Sequence, residues 1–300
     1  MTTILVTGAS GFVGAHLLQR LANRPDGQVR GLVREPPPCS LPPSVECVQG
    51  DLNQPETLAA ALEGVQYLVH AAAITADHKE PYRGAYERVN KAGTEHLMRA
   101  ATGAGVERVV LMSGLGTRPA PRETYMATRR GMEEAVRQSG IPFVILQPSV
   151  LFGDGAPFVS ALARLARRSP VLPLLGGGGI RFQPLWIEDL VTCVVACLGD
   201  QAPLGEALPI GGAEHVTFRQ VLGEICAALH VRRLLVPLPL GLAGVQAIVM
   251  TAVLPRPPLT PAALELFSFD NATDLDSVER TFGFTPRGFL EHLRERGLET

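Results

Sequence analysis

The sequence predicts an α/β protein with a doubly wound parallel sheet and a smaller α/β C-terminal lobe. Three observations support this fold class. Apolar, β-prone runs alternate with helical patterns along the first half of the chain, which is typical of a parallel sheet. Glycines at positions 8, 11 and 14 separate the first run from the first helix. The pattern changes after residue 153, which predicts one domain over 1–153 and a lobe over 154–300, interleaved with the end of the sheet.

Composition narrows the class of protein. The chain has 300 residues, of which 46% are hydrophobic and 19% charged, and this suits a globular α/β enzyme. The net charge of −2 gives no reason to expect a nucleic-acid partner. Five cysteines show no CxxC pair and no zinc spacing, so no metal site is predicted. Their odd number, and an N-terminus that enters a strand directly, predict a cytoplasmic protein without a targeting peptide.

The first strand and the first helix meet at a glycine turn. Ile4–Val6 is apolar, and apolar residues recur at helical spacing over Phe12–Leu21. A helix N-terminus offers unpaired N–H groups and a partial positive charge, which suit a pyrophosphate. One glycine permits the tight turn, one lets the backbone approach the phosphates, and one lets the helix pack on the strand. The predicted cofactor contacts are Gly8, Ser10, Gly11, Phe12, Val13 and Gly14. The alternative is a glycine-rich turn without a ligand.

The second strand, predicted over Gln28–Arg34, ends where the choice of cofactor is made. An acidic residue there accepts hydrogen bonds from the adenosine ribose, whereas an arginine pairs with the 2′-phosphate of NADP. Arg34 precedes Glu35. Because Arg34 closes the strand, we favour NADP over NAD; the alternative is that both are solvated loop charges. A proline-rich loop over Pro36–Pro43 follows.

The third and fourth strands bring further residues to the same edge. Val45–Val48 predicts a short strand, and Asp51 behind it can cap the helix expected near Pro55. Tyr67–Ala73 predicts a strand that ends in small residues, which let a flat ligand lie close to the backbone. The predicted contacts there are Ala71, Ala72 and Ala73. His70 receives no chemical role, because a lone histidine beside a strand end is more often packed or hydrogen-bonded.

The fifth strand and the helix after it carry the candidate catalytic groups. Val106–Ser113 predicts a strand that delivers Ser113 to this edge. Tyr125 begins an amphipathic helix twelve residues later, and Arg129 lies one helical turn beyond it, where a cation favours a phenolate. The alternative is structural, with Tyr125 covering the sheet and Ser113 capping a turn.

The C-terminal half contains one unusual segment. Residues 240–254 are uncharged and lie between Pro239 and Pro255. Fifteen residues are too few to span a bilayer comfortably. We favour a buried helix or a substrate lid; the alternative is contact with a membrane surface or a protein complex.

The chain resembles the atypical extended short-chain dehydrogenases/reductases, and within them bacterial relatives of the accessory alpha subcomplex subunit nine of respiratory complex I. The resemblance covers most of the chain. The motifs that carry it are TGASGFVG, GDL, the HAAA strand end, Ser113 with Tyr125 and Arg129, QPSVLFG, and IGGAEHVTFRQVLGEI. It implies a Rossmann sheet with NADP or NAD across its carboxyl edge, and a small-molecule substrate between that edge and the C-terminal lobe.

The resemblance also implies roles on the cofactor side of the site. Asp51, with Leu52 beside it, would contact the adenine edge. Asn90, in a helix predicted over Tyr82–Ala104, would hold the active-site backbone. Pro148 would lie where the chain leaves the cofactor domain.

On the catalytic side, the resemblance implies that Tyr125 exchanges a proton with the substrate oxygen and that Ser113 hydrogen-bonds that oxygen. Family members carry a lysine where this chain has Arg129. Arginine keeps the charge, but it is planar and is never deprotonated. Either Arg129 substitutes for the lysine, or the site has lost its chemistry and keeps only the cofactor.

Two functions follow from these expectations. The first is an NAD(P)-dependent oxidoreductase or epimerase that transfers hydride at a carbonyl or alcohol carbon of a small molecule. The alternative is a catalytically weak cofactor-binding protein that acts as a sensor, or as an accessory or assembly factor of a membrane redox complex. The alternative depends on Arg129 and on the apolar segment 240–254.

Overall fold

The computed structural model describes residues 2–24, 27–35, 41–119, 124–254 and 259–298. Part of the predicted proline-rich loop, residues 36–40, lies outside these ranges. The strands, in chain order, are β1 (Thr2–Thr7), β2 (Gly27–Val33), β3 (Val45–Gln49), β4 (Tyr67–His70), β5 (Arg108–Met112), β6 (Phe143–Pro148), β7 (Leu151–Phe152), β8 (Val171–Leu175), β9 (Arg181–Phe182), β10 (Leu185–Trp186), β11 (Ala207–Ile210), β12 (Val216–Thr217) and β13 (Leu234–Leu238). The α-helices are α1 (Phe12–Leu21), α2 (Leu58–Leu62), α3 (Gly93–Gly103), α4 (Tyr125–Gln138), α5 (Pro157–Arg168), α6 (Ile187–Cys197), α7 (Phe218–Ala228), α8 (Leu240–Val253), α9 (Pro261–Glu265), α10 (Ser277–Phe282) and α11 (Phe289–Arg296).

In the described residues, seven strands form the central sheet, in the order β11-β6-β5-β4-β1-β2-β3. The strands run parallel, and Ile4 of β1 pairs with Val29 of β2 on one side and Tyr67 of β4 on the other. β1 is buried from Thr3 to Thr7, because a central strand of a parallel sheet is covered on both faces. This order confirms the predicted doubly wound parallel sheet.

Helices cover both faces of the central sheet. On one face, Leu32 of β2 belongs to a buried cluster that includes Leu97 of α3 and Val136 of α4. On the other face, a Cβ on Gly31 would lie 3.4 Å from the Leu18 side chain of α1. Neighbouring strand residues thus point to opposite faces, as the period of two requires.

The chain forms two compact units. The first consists of Met1–Ile74, Glu80–Gln147 and Val191–Leu208, and the second of Thr75–Lys79, Pro148–Leu190 and Pro209–Thr300. The second unit contains three two-stranded sheets, β7 with β10, β9 with β12, and β8 with β13. The linear boundary expected at residue 153 stays a prediction.

Helix ends in the second unit follow local rules. Thr217 and Gln220 form the reciprocal capping box at the start of α7 that their spacing indicates. Gly283 ends α10 with a left-handed φ of 76°. In the first turn of α6, Asp189 accepts a hydrogen bond from the backbone nitrogen of Arg287 at 2.6 Å. Burial raises the pKa of this carboxyl.

The helix α8 corrects one expectation. For residues 240–254 the sequence favours a buried helix or a substrate lid; burial is wrong for most of the helix, and the lid stays a prediction. Only Ala243 and Ala247 of α8 are buried, whereas Leu242 is 63% and Val253 74% exposed. A helix without a polar face has no periodicity that tells which side is covered. Within the described ranges, no helix combines the length and apolar character needed to cross a membrane.

Candidate active site

One edge of the central sheet gathers the predicted site residues. Their positions, in spatial order, are Pro148 at the end of β6, Ser113 after β5, Ala71 after β4, Gly8 after β1, Arg34 after β2, and Asp51 two residues after β3. Strands lie about 4.8 Å apart, so this row extends over about 24 Å. The carboxyl edge of an open α/β sheet is where ligands of this fold class bind.

The glycine turn brings two backbones close together. Gly8 has a left-handed φ of 68°, and a Cβ on it would lie 2.8 Å from the backbone carbon of Ala71. A Cβ on Gly14 would overlap the carbonyl oxygen of Gly8. The backbone nitrogen of Gly11 donates to that same oxygen at 2.9 Å. Any side chain at position 8 or 14 would therefore push α1 or β4 out of place.

The N-terminus of α1 fits a dinucleotide. Its N-cap is Gly11, so no side chain caps the first turn of this helix. Ser10 and Gly11 are exposed, and Phe12 and Val13 are partly exposed. The first-turn N–H groups and the helix dipole are therefore available to a pyrophosphate, in a cradle that a Cβ would fill.

The adenosine end of the edge carries opposite charges side by side. Arg34 and Glu35 are both exposed, directly after β2. Asp51 does not cap a helix, which corrects that expectation: its Oδ1 accepts from the backbone nitrogen of Asn53 at 2.9 Å, and the N-cap of the following 3₁₀ turn is Gln54. This bond forms an Asx turn, in which an aspartate binds the backbone two residues further on. Leu52 is 5% exposed and packs in the core, so only its backbone can face a ligand.

The backbone after β4 is held from two sides. The backbone nitrogen of Ala72 donates to Thr7 Oγ1 at 3.3 Å. The side chain of Asn90 bonds both backbone groups of Ile74, since Oδ1 accepts from the nitrogen at 2.8 Å and Nδ2 donates to the oxygen at 3.0 Å. Asn90 lies in a π-helical turn, Glu87–Ala92, a feature that is frequent at functional sites. Thr7 and Asn90 therefore fix the stretch that contains Ala71, Ala72 and Ala73.

His70 lies beneath this stretch and is completely buried. Its Nδ1 is 2.7 Å from Thr7 Oγ1, and its Nε2 is 2.9 Å from Thr94 Oγ1. Thr94 in turn donates to the carbonyl oxygen of Asn90. Because the hydroxyl proton of Thr94 is donated to Asn90, Thr94 Oγ1 must accept from His70 Nε2. His70 Nδ1 is then the acceptor, and it accepts from the hydroxyl of Thr7. Burial, and secondarily the charge of Arg129, lowers the pKa of His70 to about 3.

Tyr125 and Arg129 meet at the start of α4. Thr124 caps the helix by accepting from the backbone nitrogen of Ala127 at 3.2 Å. One turn on, Arg129 Nε donates to the phenolic oxygen of the buried Tyr125 at 2.9 Å. Arg129 Nη1 donates to the carbonyl oxygen of Met112, the last residue of β5, at 3.3 Å. The guanidinium thus links the phenol to the strand that carries Ser113, a bridge that one planar group with several donors can make.

The hydroxyl of Ser113 is bound to a buried carboxylate. Ser113 Oγ donates to Glu133 Oε1 at 2.6 Å, and Glu133 is 1% exposed. Gln147 Nε2 donates to the same oxygen at 2.7 Å, and Arg137 Nη1 donates to Oε2 at 3.1 Å. Three donors therefore satisfy this carboxylate.

Sequence reasoning missed Glu133 as a site residue. A signal was present, because Glu133 lies four residues after Arg129 and eight after Tyr125, on one helix face. The roles of Thr7 and Thr94 beside His70 had no such signal, since they depend on which strand lies next to which helix.

Comparisons with known proteins agree with this geometry. The profile of NAD(P)H-binding proteins matches residues 8–163. A ceramide reductase of Caulobacter vibrioides (strain NA1000 / CB15N) is 35% identical over 196 residues, which are 64% of this chain and 60% of that protein. A 3 beta-hydroxysteroid dehydrogenase/Delta 5-->4-isomerase of Mycobacterium tuberculosis (strain ATCC 25618 / H37Rv) is 27% identical over 318 residues, which are 94% of this chain and 86% of that protein.

A solved structure extends the likeness of fold over the whole chain. MoeE5 in complex with UDP-glucose and NAD superposes with a TM-score of 0.74 at 23% identity, covering 97% of this chain and 96% of that one. The narrower resemblance to relatives of a complex I subunit stays a prediction. The match to NAD(P)H-binding proteins covers more than half of the sequence, and the chain belongs to the extended short-chain dehydrogenases/reductases, a family of NAD(P)-binding oxidoreductases and epimerases.

Proposed function

We propose that this protein is an NADP-dependent oxidoreductase that interconverts a ketone and a secondary alcohol on an apolar small molecule. The observation that carries the proposal is the bond from Arg129 Nε to the buried phenolic oxygen of Tyr125, 2.9 Å long. The names of two relatives, a ceramide reductase and a hydroxysteroid dehydrogenase/isomerase, support an apolar substrate.

When bound, NADPH would supply the hydride from its nicotinamide ring. Tyr125 gives its phenolic proton to the substrate oxygen in the reducing direction and takes it back in the oxidising direction. Arg129 stabilises the phenolate formed in between, because its Nε already donates to that oxygen. Its second bond, to the Met112 carbonyl, keeps the guanidinium in place during the transfer.

Ser113 positions the alcohol form of the substrate. Its only proton is donated to Glu133, so the lone pairs of Oγ accept a hydrogen bond from a substrate hydroxyl. Glu133 therefore sets the direction in which Ser113 bonds its ligand.

The remaining predicted residues divide between the two ends of the cofactor. The pyrophosphate and nicotinamide side would meet Gly8, Ser10, Gly11, Phe12, Val13, Gly14, Ala71, Ala72, Ala73, Asn90 and Pro148, and the adenosine side Arg34, Asp51 and Leu52. Arg34 favours NADP because an exposed guanidinium can bind a 2′-phosphate through two donors. Residues 1–153 would bind the cofactor and residues 154–300 the substrate.

The variant Tyr125→Phe tests the proposal. We expect it to oxidise NADPH at least about 100-fold more slowly than the wild type, because the acid is removed. The assay follows absorbance at 340 nm with long-chain ketones and 3-ketosteroids, and a thermal-shift titration with NADPH should stay unchanged. Tyr82→Phe is the matched control, since Tyr82 is 47% exposed.

Full turnover in Tyr125→Phe would remove Tyr125 from the mechanism. The alternative function, a cofactor-holding accessory protein, predicts NADPH binding by the wild type with no oxidation by any ketone. A larger thermal shift with NADH than with NADPH would contradict the role of Arg34.

A further inference from the structure

The helix α8 exposes a continuous apolar face. Five branched side chains of this helix are 57% to 74% exposed, and they are Leu242, Val245, Ile248, Val249 and Val253. At 100° per residue they lie within about 140° of one another around the helix. Ala243 and Ala247, on the opposite side, are buried.

The covered side of α8 is attached to its own unit. Lys79 Nζ donates to the carbonyl oxygen of Leu254 at 3.4 Å, at the C-terminal end of the helix. Thr260 Oγ1, just before α9, donates to the carbonyl oxygen of Ala76. α8 carries no charged side chain, and its exposed polar side chain, Gln246, lies at the border of the apolar face. A continuous apolar face of this kind is typical of a surface that binds a partner or a membrane.

Arginines accompany this apolar face in the same unit. Arg168 ends α5 before β8, and Arg232 and Arg233 precede β13. β8 and β13 are paired with Val171 opposite Leu234, so these arginines lie at one end of the two-stranded sheet. Arg233 Nε is fixed there by the carbonyl oxygen of Ala166, at 2.6 Å.

The sequence segments that form this part of the unit contain no acidic residues. The sequence has none between Asp154 and Glu188, and none between Glu224 and Glu265. β13 leads from the arginines to α8 and exposes Leu234 by 64% and Val236 by 40% on one face. A positive end followed by apolar side chains is complementary to an anionic lipid surface, which offers phosphate groups above acyl chains.

The dimensions of α8 favour a lipid surface over a second copy of the chain. Fourteen residues give a helix about 21 Å long and about 10 Å wide. Its exposed face thus has a projected footprint of about 200 Å², so α8 alone would supply only part of a stable protein interface, which buries about 800 Å² of accessible surface per partner. The helix is also shorter than the about 20 residues that cross a bilayer.

We propose that α8 lies in the plane of an anionic lipid bilayer, with its five exposed side chains among the acyl chains and the arginines beside β8 and β13 among the headgroups. This interaction surface does not depend on the proposed reaction. It gives the protein a membrane-bound state that needs no membrane-spanning segment.

Vesicle flotation with the full chain tests this surface. Two kinds of vesicle serve as probes. One contains phosphatidylcholine alone, and the other contains phosphatidylcholine with about 30 mol % of the anionic lipid phosphatidylglycerol. We expect the wild type to float with the anionic vesicles, and Val245→Glu/Val249→Glu to reduce the bound fraction at least about tenfold. Leu204→Glu/Leu275→Glu is the matched control, because it adds two charges at leucines that are 45% and 50% exposed elsewhere. It should float like the wild type.

A second variant separates the charges from the apolar face. Arg168→Gln/Arg232→Gln should lose the preference for anionic vesicles while circular dichroism and thermal melting stay unchanged. A wild type that stays at the bottom with both vesicle types overturns the proposal. So does a lipid-free dimer in sedimentation velocity that Val245→Glu/Val249→Glu converts to a monomer, because a second copy would then cover α8.

Discussion

At the scale of single residues, Arg129 stands where a lysine is expected and makes two hydrogen bonds from two different nitrogens of one planar group. Its Nε donates to Tyr125 and its Nη1 to the carbonyl of Met112. A planar guanidinium holds both directions at once, whereas a lysine is a compact point charge on a flexible stem. In the proposed mechanism, the arginine therefore retains the electrostatic role of the lysine at Tyr125 and adds a fixed orientation.

Glu133 is a buried carboxylate that depends on its hydrogen-bond donors for stability. Glu133→Gln keeps the shape but removes the charge that Ser113 and Arg137 bind. We expect this change to lower the free energy of unfolding in urea by about 1–3 kcal/mol, because charge-assisted bonds to a buried carboxylate are lost. Glu134→Gln, at a side chain that is 45% exposed, should change it by less than about 0.5 kcal/mol.

A double-mutant cycle of Ser113→Ala and Glu133→Gln separates this bond from general damage. Residues in direct contact show a coupling of about 0.5–3 kcal/mol. Strictly additive effects would contradict the 2.6 Å bond between them.

The sequence identified Ser113, Tyr125 and Arg129 as neighbours, because strand ends and helical spacing are local properties. It did not show that Glu133 turns toward the sheet, since Glu134 has the same chemistry and only the packing of α4 distinguishes the two. The Asn53 bond of Asp51 was missed for a similar reason. A carboxylate that precedes a helix predicts a cap, but here the chain turns back two residues later.

At the scale of secondary-structure elements, the turn between β1 and α1 depends on close contacts between backbone atoms, which leave no room for a side chain. Gly14→Ala places a methyl group on the carbonyl oxygen of Gly8, so α1 must move away from the strand. We expect a loss of about 1–3 kcal/mol in the free energy of unfolding, and NADPH affinity at least about tenfold lower as the N–H groups shift. Denaturant unfolding and NADPH titration measure the two effects.

Gly223→Ala is the control for helix propensity. Gly223 lies inside α7, where an added Cβ has no neighbour within 4 Å. Alanine there should raise stability by about 0.5–1 kcal/mol. If Gly14→Ala behaved in the same way, the close approach of α1 to Gly8 would not exist in solution.

At the scale of the whole molecule, the strand order follows from short right-handed connections between apolar runs, so the sequence predicts most of the central sheet. The return of β11 to the far edge depends on long-range pairing, such as the bond from the nitrogen of Ile145 to the carbonyl of Glu206 at 2.9 Å. The exposure of α8 was equally non-local. In a uniformly apolar helix, the sequence does not indicate which side is covered by the rest of the chain.

Stability of the molecule toward acid depends on His70. Its pKa is lowered from 6.5 to about 3, by burial first and by the charge of Arg129 second. Below pH 6.5 His70 binds a proton in the unfolded chain, whereas it stays neutral in the folded chain. The stabilising contribution is therefore complete above pH 6.5 and is lost as the pH falls toward about 3. His292, whose pKa burial also lowers, contributes with the same sign.

We expect the free energy of unfolding to fall by about 1.4 kcal/mol per pH unit from His70 between about pH 6 and pH 4. Asp189 acts in the opposite direction, because a carboxyl with a raised pKa gains stability on protonation. Urea titrations in an Asp189→Asn background remove that opposing contribution. Independently, the ring resonances of His70 in ¹³C-labelled protein should not shift between about pH 7 and pH 5, because its pKa is lowered to about 3. A midpoint near 6.5 for His70 would mean that its ring is charged in the folded protein, and the neutral bonds to Thr7 and Thr94 would then be wrong.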